Sequence, residues 1–456
     1  MTLVQRLADF VGHAAYGDLS PAACEALKGR VLDALGTAAG ALGAPPPGAV
    51  RRTIEELGGH PLCSLIGGGR TAPDRAALYN AALVRYLDFN DSYLAPGETF
   101  HPSDNLGAVL AAAELAGASG ETFLTALGAA YEVQARLSEA APVRAKGFDH
   151  TTQGAYAAAA GASRALGLDE RQTANALAIS GTANNALRVT RTGHLSHWKG
   201  LAYPYLGCAA LQATLLARQG ITGPMEVFEG NKGFMESIAG RFEVDWGAPG
   251  LESVTRTIVK RYNAEIHSQS AIEGLLELRA ANRFGAEDVE KIELETFEVA
   301  FNIIGGGEEG DKHAVRTKEE ADHSLPYLLA VALLDGFVGP EQYAPDRISR
   351  ADVQALLRRV SVRPSPDLNA RFPRQMPARL FVTLTGGRRL TIEKSDYQGF
   401  FTHPMSWEGL TAKFDRLAAP HAPEPLRREI VMVVHDLQDH PVTDLTRLLS
   451  RVSKEM

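Results

Sequence analysis

Four stretches of this 456-residue chain collect side chains that transfer protons or hold anions. The first, YLDFNDSYLAPGETFHPSDN, contains Asp88, Asp91, Ser92, His101, Ser103 and Asp104. An acid, a hydroxyl and a histidine on one long loop are the groups of general acid–base chemistry, and loops carried by a rigid scaffold are where such groups gather. The second, KGFDHTTQG, places His150 at a helix start. The third, LRVTRTGHLSHWKG, crowds Arg188, Arg191, His194, His197 and Lys199 into one run. Concentrated cations offer a local anion site, where arginine forks onto a carboxylate and lysine supplies a point charge. The fourth, VKRYNAEIHSQSAIEG, holds Lys260, Arg261, Glu265, His267, Ser268 and Gln269. Each stretch also has a purely structural reading. Asp91 or Ser92 ends one helix and Ser103 or Asp104 caps the next, His150 is a capping or solvated residue, and the cations over 188–199 form a solvated face.

Several chemistries lack their motifs. There is no HExxH, Cys/His quartet, Walker loop or GxSxG elbow. One formal GxGxxG match, GGGEEG at 305–310, carries two glutamates that would repel a pyrophosphate and opens no clear helix, so it reads as part of a surface loop over 305–323. Cys24, Cys63 and Cys208 form no CxxC unit, which excludes a disulfide framework. Three cysteines suffice for an iron–sulfur cluster, but such sites usually take two ligands from one short loop; the expectation is three small buried hydrophobes in a reducing compartment. Proton chemistry by His, Lys and Asp on an anionic small molecule remains. Removing a proton α to a carboxylate builds a second negative charge there, which Lys or Arg must hold where no metal does. Histidine has the pKa for either proton role near neutrality. The expectation is a site with no metal and no cofactor.

The elements that must position these groups are mostly helices. With 46 Lys+Arg against 54 Asp+Glu, the net charge is −8, so neither nucleic acid nor an anionic membrane surface is an expected partner. The 45% hydrophobic and 22% charged content is that of a globular protein with a large core. Arg6, Asp9 and His13 interrupt the apolar N-terminus, so no export is expected and the cytoplasm is the expected location. Ser20–Pro21 starts a helix on which Leu27, Val31, Leu35 and Leu42 recur until the APPPG break. Similar Ala/Leu patterns occupy 75–88, 106–117, 121–138, 153–166, 170–185 and 203–218, the last read as a buried helix after Pro204. After about residue 250 the texture changes. VEKIELETFEV alternates as a strand, ARLFVTLTGGRRLTIEKSD is a hairpin about Gly386–Gly387, and SLPYLLAVALLDG is a buried helix capped by Ser324 and closed by Gly336.

LDFNDSYLAPGETFHPSDNLGAVLA, GFDH, HWKG, KRYNAEIHSQSAIE and TKEEADHSLPYLLAVALLDG occur in an order that resembles the MmgE/PrpD family over nearly the whole chain. HPSDN and AEIHSQSA are most similar to its 2-methylcitrate dehydratase branch. The resemblance implies a mainly α protein: a large all-helical domain over 1–266 and 405–456, a smaller α+β lid domain over 267–404, a homodimer, and a metal-free active site at the domain junction. It implies pocket residues at Asp88, Ser92, His101, His150, Lys199 and Lys260, with Asp91 in the same motif. Two features depart from the pattern. The loop from Asp88 to His101 is longer than in many members, and Glu265 stands where decarboxylating members have histidine, with His267 two positions on as in the dehydratases. The implied activity is dehydration of 2-methylcitrate or a close tricarboxylate. Lys199, Lys260 and Arg191 would neutralise carboxylates, His101 and His150 would be base and acid in an order left open, Asp88 and Asp91 would orient or charge them, and Ser92 and His267 would bind substrate. The alternatives are a cis-aconitate-type decarboxylase, an iminodisuccinate-type epimerase, or a catalytically silent anion-binding helical protein.

Overall fold

The computed structural model describes residues 1–193 and 195–453; His194 of the cationic stretch lies outside them. The chain divides into two compact units. The first comprises Met1–Arg191, His197–Thr257 and the segment from Ser406 on, and the second is built mainly from Ile258–Met405.

The first unit contains α1 (Leu3–His13), α2 (Pro21–Gly40), α3 (Pro45–Leu57), α4 (Pro73–Tyr86), α5 (Leu106–Ala116), α6 (Gly120–Ala140), α7 (Thr151–Ala165), α8 (Glu170–Ala183) and α9 (Trp198–Arg218). Its start signals work as the sequence predicts: the Ser20 hydroxyl accepts from Ala23 N–H with Pro21 behind it, and Asp169 forms a capping box with Gln172. Two helices differ from expectation. The APPPG break is the first turn of α3, because helical N–H groups have no intrahelical partner there and proline loses nothing by lacking one. α9 begins at Trp198 and carries Pro204 inside it rather than starting after it. Helix 407–418 packs on α2, whose Gly29, Gly36 and Gly40 face Leu410, Phe414 and Leu417; a Cβ on Gly36 would lie 3.1 Å from the Phe414 Cα. That closeness sets Lys413 Nζ at 2.6 Å from Asp33 and 2.8 Å from the carbonyl of Phe89, so the C-terminal segment holds the loop that follows α4.

This unit is not entirely helical, contrary to expectation. A ribbon pairs β1 (Cys63–Ser64) with β2 (Arg70–Thr71), and another pairs β3 (Tyr93–Ala95) with β4 (Glu98–Phe100). The second lies inside the stretch read as one long loop. Pro96–Gly97 makes its turn, with Gly97 at φ 76, a conformation glycine adopts at no steric cost.

The second unit centres on a four-stranded sheet in the order β6 (Val360–Pro364), β5 (Val289–Thr296), β7 (Ala378–Leu384), β8 (Arg389–Lys394). β5 and β6 are parallel, and the other neighbours are antiparallel. Ala378, Leu380, Val382 and Leu384 alternate into the core, as a one-face-buried strand requires. α10 (Gln269–Asn282) and helix 325–335 pack on the sheet through Ile272, Leu275, Leu328 and Leu329. Ser324 caps helix 325–335 by accepting from Tyr327 N–H, and Gly336 closes it in the left-handed region. The GGGEEG stretch opens no helix at its end. Cys24 and Cys63 are buried; Cys208 is only half-buried, and burial pushes the Cys63 and Cys208 thiols up to about 12, which suits packing rather than reactivity. Among the described residues no helix is long and apolar enough to cross a membrane.

Candidate active site

The first unit builds its polar centre from the end of α4, the β3–β4 ribbon and the starts of α7 and α9. α4 ends at Tyr86, and Asp88 takes φ 54, the left-handed position beyond a helix end that Asp tolerates better than most non-glycine residues. The reversal turns its carboxylate onto Arg85 Nη1 at 2.8 Å and Lys199 Nζ at 3.1 Å. Lys199 sits in the first turn of α9, where the helix dipole disfavours a cation, so Asp88 offsets a local electrostatic cost.

The ribbon register pairs Tyr93 with Phe100, which puts Ser92 directly across from His101. Ser92 Oγ lies 3.1 Å from His101 Nδ1, and the backbone carbonyl of Asp91 lies 2.7 Å from the same nitrogen. A carbonyl only accepts, so Nδ1 carries a proton and, in the neutral ring, Nε2 carries the lone pair. Nε2 faces Asp88 Oδ1 at 4.0 Å, a carboxylate placed to favour the imidazolium. The Asp91 side chain fixes this carbonyl from behind: one oxygen accepts from Ser103 N–H at 3.0 Å, the other from the Tyr131 hydroxyl at 2.9 Å. Burial raises the Asp91 pKa and those hydrogen bonds oppose the rise. Asn90 Nδ2 bonds Ser103 Oγ and Asp104 Oδ1, both at 2.9 Å. The expected capping by Ser103 or Asp104 therefore does not occur: α5 starts without a side-chain cap, and those side chains brace the loop. Burial pushes Asp104 up to about 7 against the pull of Arg85.

The second histidine has different surroundings. His150 directly precedes α7 and is buried, not solvated, and it does not cap the helix. Asp149, fully buried, accepts from Arg191 Nε at 2.6 Å, with Arg188 Nη1 at 3.7 Å. Burial alone would raise the Asp149 pKa; Arg191, His150 and Arg188 hold it well below the usual carboxylate range. Arg191 also donates from Nη1 to the carbonyl of Lys199 at 3.2 Å, and its Nη2 lies 3.5 Å from His150 Nε2. The 3.6 Å approach of His150 Nδ1 to Asp149 has the distance of an ion pair. The ring is nonetheless neutral near pH 7, because burial and the cations Arg191, Arg85 and Arg188 outweigh Asp149 and push its pKa down to about 3. Of the cations over 188–199, Arg191 and Lys199 are tied into the unit rather than solvated, whereas His197 is exposed. The His101 and His150 rings stand edge to face with centroids 5.9 Å apart, joining the two clusters.

Lys260 and His267 lie in the second unit, both buried. Glu265 accepts from His267 with both oxygens: Nδ1 at 2.7 Å and the backbone N–H at 2.8 Å. Burial would raise the Glu265 pKa, but His267, His323 and Lys260 bring it down to about 2. Phe297 and Phe372, stacked 4.2 Å apart, wall the His267 ring.

The sequence-predicted residues thus fall into three groups. Asp88, Asp91, Ser92, His101 and Lys199 meet at the ribbon, His150 and Arg191 meet at Asp149, and His267 pairs with Glu265, whose carboxylate also feels the charge of Lys260. Sequence reasoning passed over Arg85, Tyr131 and Asp149. Arg85 stood three residues before Asp88 on the same helix end, and Asp149 stood beside His150 in a quoted motif. Tyr131 gave no signal on a helix of Ala and Leu.

The family model of the MmgE/PrpD N-terminal domain matches residues 5–247, and that of the MmgE/PrpD C-terminal domain matches 262–439. A 2-methylcitrate dehydratase from Escherichia coli (strain K12) is 30% identical over 321 residues, 65% of this chain and 64% of that protein. The matched stretch is therefore just under two thirds of that relative's length. A 2-methylcitrate dehydratase from Cupriavidus necator is 30% identical over 69% of this chain and 68% of its own. A cis-aconitate decarboxylase from Mus musculus is 26% identical over 83% of this chain and 79% of its own.

Proposed function

Because the chain belongs to the MmgE/PrpD family, we propose that it is a hydro-lyase that dehydrates 2-methylcitrate or a close tricarboxylate without a metal. The observation that carries this reading is the setting of His101: Nδ1–H is pinned by the Asp91 carbonyl, Ser92 stands across the ribbon, and Nε2 faces a carboxylate that also holds Lys199. Dehydration breaks the C–H bond α to a carboxylate and the β C–O bond. The proton passes to a base, the C–H electron pair becomes the new C=C, and the oxygen leaves as water after taking a proton. Charge that builds on the carboxylate during C–H cleavage needs a cation beside it, and Lys199 supplies one next to the base. His101 and His150, with ring centroids 5.9 Å apart, are the two histidines beside this step. The donors of Arg191 are spent on Asp149, the Lys199 carbonyl and His150 Nε2, so in this reading it fixes His150 and α9 and adds only its charge to substrate binding. For Lys260 and His267 the proposal is substrate contact, tested by a raised KM in Lys260→Met. Glu265, bound to His267, leaves no histidine at the position that decarboxylating members use, which favours dehydration.

Chelator-treated protein incubated with 2-methylcitrate is expected to generate the ultraviolet absorbance of a conjugated C=C. No signal from folded protein across neutral and mildly alkaline pH overturns the substrate assignment. Release of CO2, or exchange of the α-proton without net dehydration, moves the reading to a decarboxylase or an epimerase.

A further inference from the structure

The two histidines share one tautomer but present opposite atoms. At His101 the Asp91 carbonyl consumes Nδ1–H, so the lone pair on Nε2 is the working atom, and Asp88 stands 4.0 Å away to receive a positive ring. At His150 the guanidinium of Arg191 can only donate, so Nε2 is the acceptor and its lone pair is used; Nδ1 must carry the hydrogen. That Nδ1 is buried and makes no hydrogen bond among the described residues, its approach to Asp149 being too long at 3.6 Å. A second proton on this ring would have to sit on Nε2, against Arg191, with Arg188 and Arg85 also repelling it and Asp149 attracting it. Asp149 is already committed to the arginines, so its help is divided.

We infer that Nε2 of His101 takes the α-proton and returns it to the leaving hydroxyl, which departs as water, while His150 remains a neutral imidazole that keeps its hydrogen on Nδ1 and does not exchange a proton during turnover. This rests on the dehydratase reading for its reaction, but its protonation half concerns the protein alone. Held among cations, the ring keeps its single hydrogen throughout the reaction.

The test is long-range proton–nitrogen NMR of the full chain labelled with 15N-histidine, its ring signals assigned through His101→Asn and His150→Asn. His150 is expected to show one protonated and one bare ring nitrogen from pH 5.5 to 9. A His150 ring with both nitrogens protonated near neutrality overturns the inference. In kinetics, His150→Asn leaves an amide N–H near the position of Nδ1 and is expected to lose about tenfold in kcat, whereas His101→Asn loses about a thousandfold, the scale of a removed general base. Equal losses overturn it. If no dehydration is found in the wild type, the reaction reading fails, and the NMR result alone decides whether His150 is locked neutral. Should His150→Asn not fold, His150→Gln supplies the assignment.

Discussion

Asp149–His150 in the first unit and Glu265–His267 in the second are built from the same ingredients and resolve them in opposite ways. Glu265 gives both oxygens to His267, one to the ring and one to the backbone N–H. Asp149 gives its oxygens to Arg191, with Arg188 beside it, and to the N–H of Thr151, and leaves His150 at 3.6 Å. An acid next to a histidine in sequence or in space therefore does not by itself make a charged pair. What decides is which cation the acid has already taken, and a guanidinium with several directed donors outcompetes an imidazole with one.

The largest break in this comparison comes from Asp149→Asn. The asparagine leaves two nearly buried guanidiniums without their counter-charge, and loss of one partner of a buried ion pair costs about 3–5 kcal/mol. Chemical denaturation of the variant against wild type reads the loss. A change below about 1 kcal/mol would mean that the arginines are stabilised chiefly by other groups.

A medium effect concerns pH. His150 falls from 6.5 to about 3 on folding, so the unfolded chain binds a proton there that the folded one refuses. This contribution to stability is complete above about pH 6.5 and is lost as pH falls toward 3, at about 1.4 kcal/mol per pH unit. Asp104 acts with the opposite sign: raised from 3.8 to about 7, it favours the folded state as pH falls from 7 toward 3.8. Between pH 5 and 6.5 these two contributions oppose each other. His150→Gln removes one of them, and its stability relative to wild type is expected to improve by about 2 kcal/mol on going from pH 6.5 to 5. Parallel stability curves for the two proteins would mean that the His150 ring is not held neutral.

What could be read ahead of the structure follows the range of each interaction. Helices α4 to α9 were legible because Ala/Leu periodicity is local, and so were the hairpin at Gly386–Gly387 and the caps at Ser20 and Ser324. The β3–β4 ribbon was missed although its signals were present: YLA and ETF flank a Pro–Gly turn, but three-residue strands inside a polar stretch read as loop. That ribbon is the element that sets Ser92 against His101. α3 was missed because three prolines read as a stop when they begin a helix. The histidines, Lys199 and Asp88 were visible as residue types, whereas their protonation was not, since it depends on Arg85, Arg191 and Tyr131, brought in from distant turns of chain.

The smallest effect sharpens the comparison from the Glu265 side. Glu265→Gln keeps the shape and one acceptor oxygen, so the backbone hydrogen bond to His267 survives and the charged ring bond is replaced by a neutral one with the amide N–H donating to Nδ1. By linkage the drop from 4.5 to about 2 makes this charge worth about 3 kcal/mol, at the low end of the expected Asp149→Asn loss, because no guanidinium is stranded. The loss also has its own pH window. The Glu265 carboxyl, near 4.5 unfolded and about 2 folded, contributes stability that is complete above about pH 4.5 and fades as pH falls through 2. Glu265→Gln should therefore be less stable than wild type at pH 6, with the gap narrowing below pH 4.5, while the Asp149→Asn gap closes only at still lower pH because Asp149 is held down further. Urea melts of both variants at pH 6, 4.5 and 3.5 measure the two gaps side by side. A Glu265→Gln penalty as large as that of Asp149→Asn would show that the second pair depends on charge as much as the first, and the contrast between a carboxylate spent on histidine and one spent on arginine would fail.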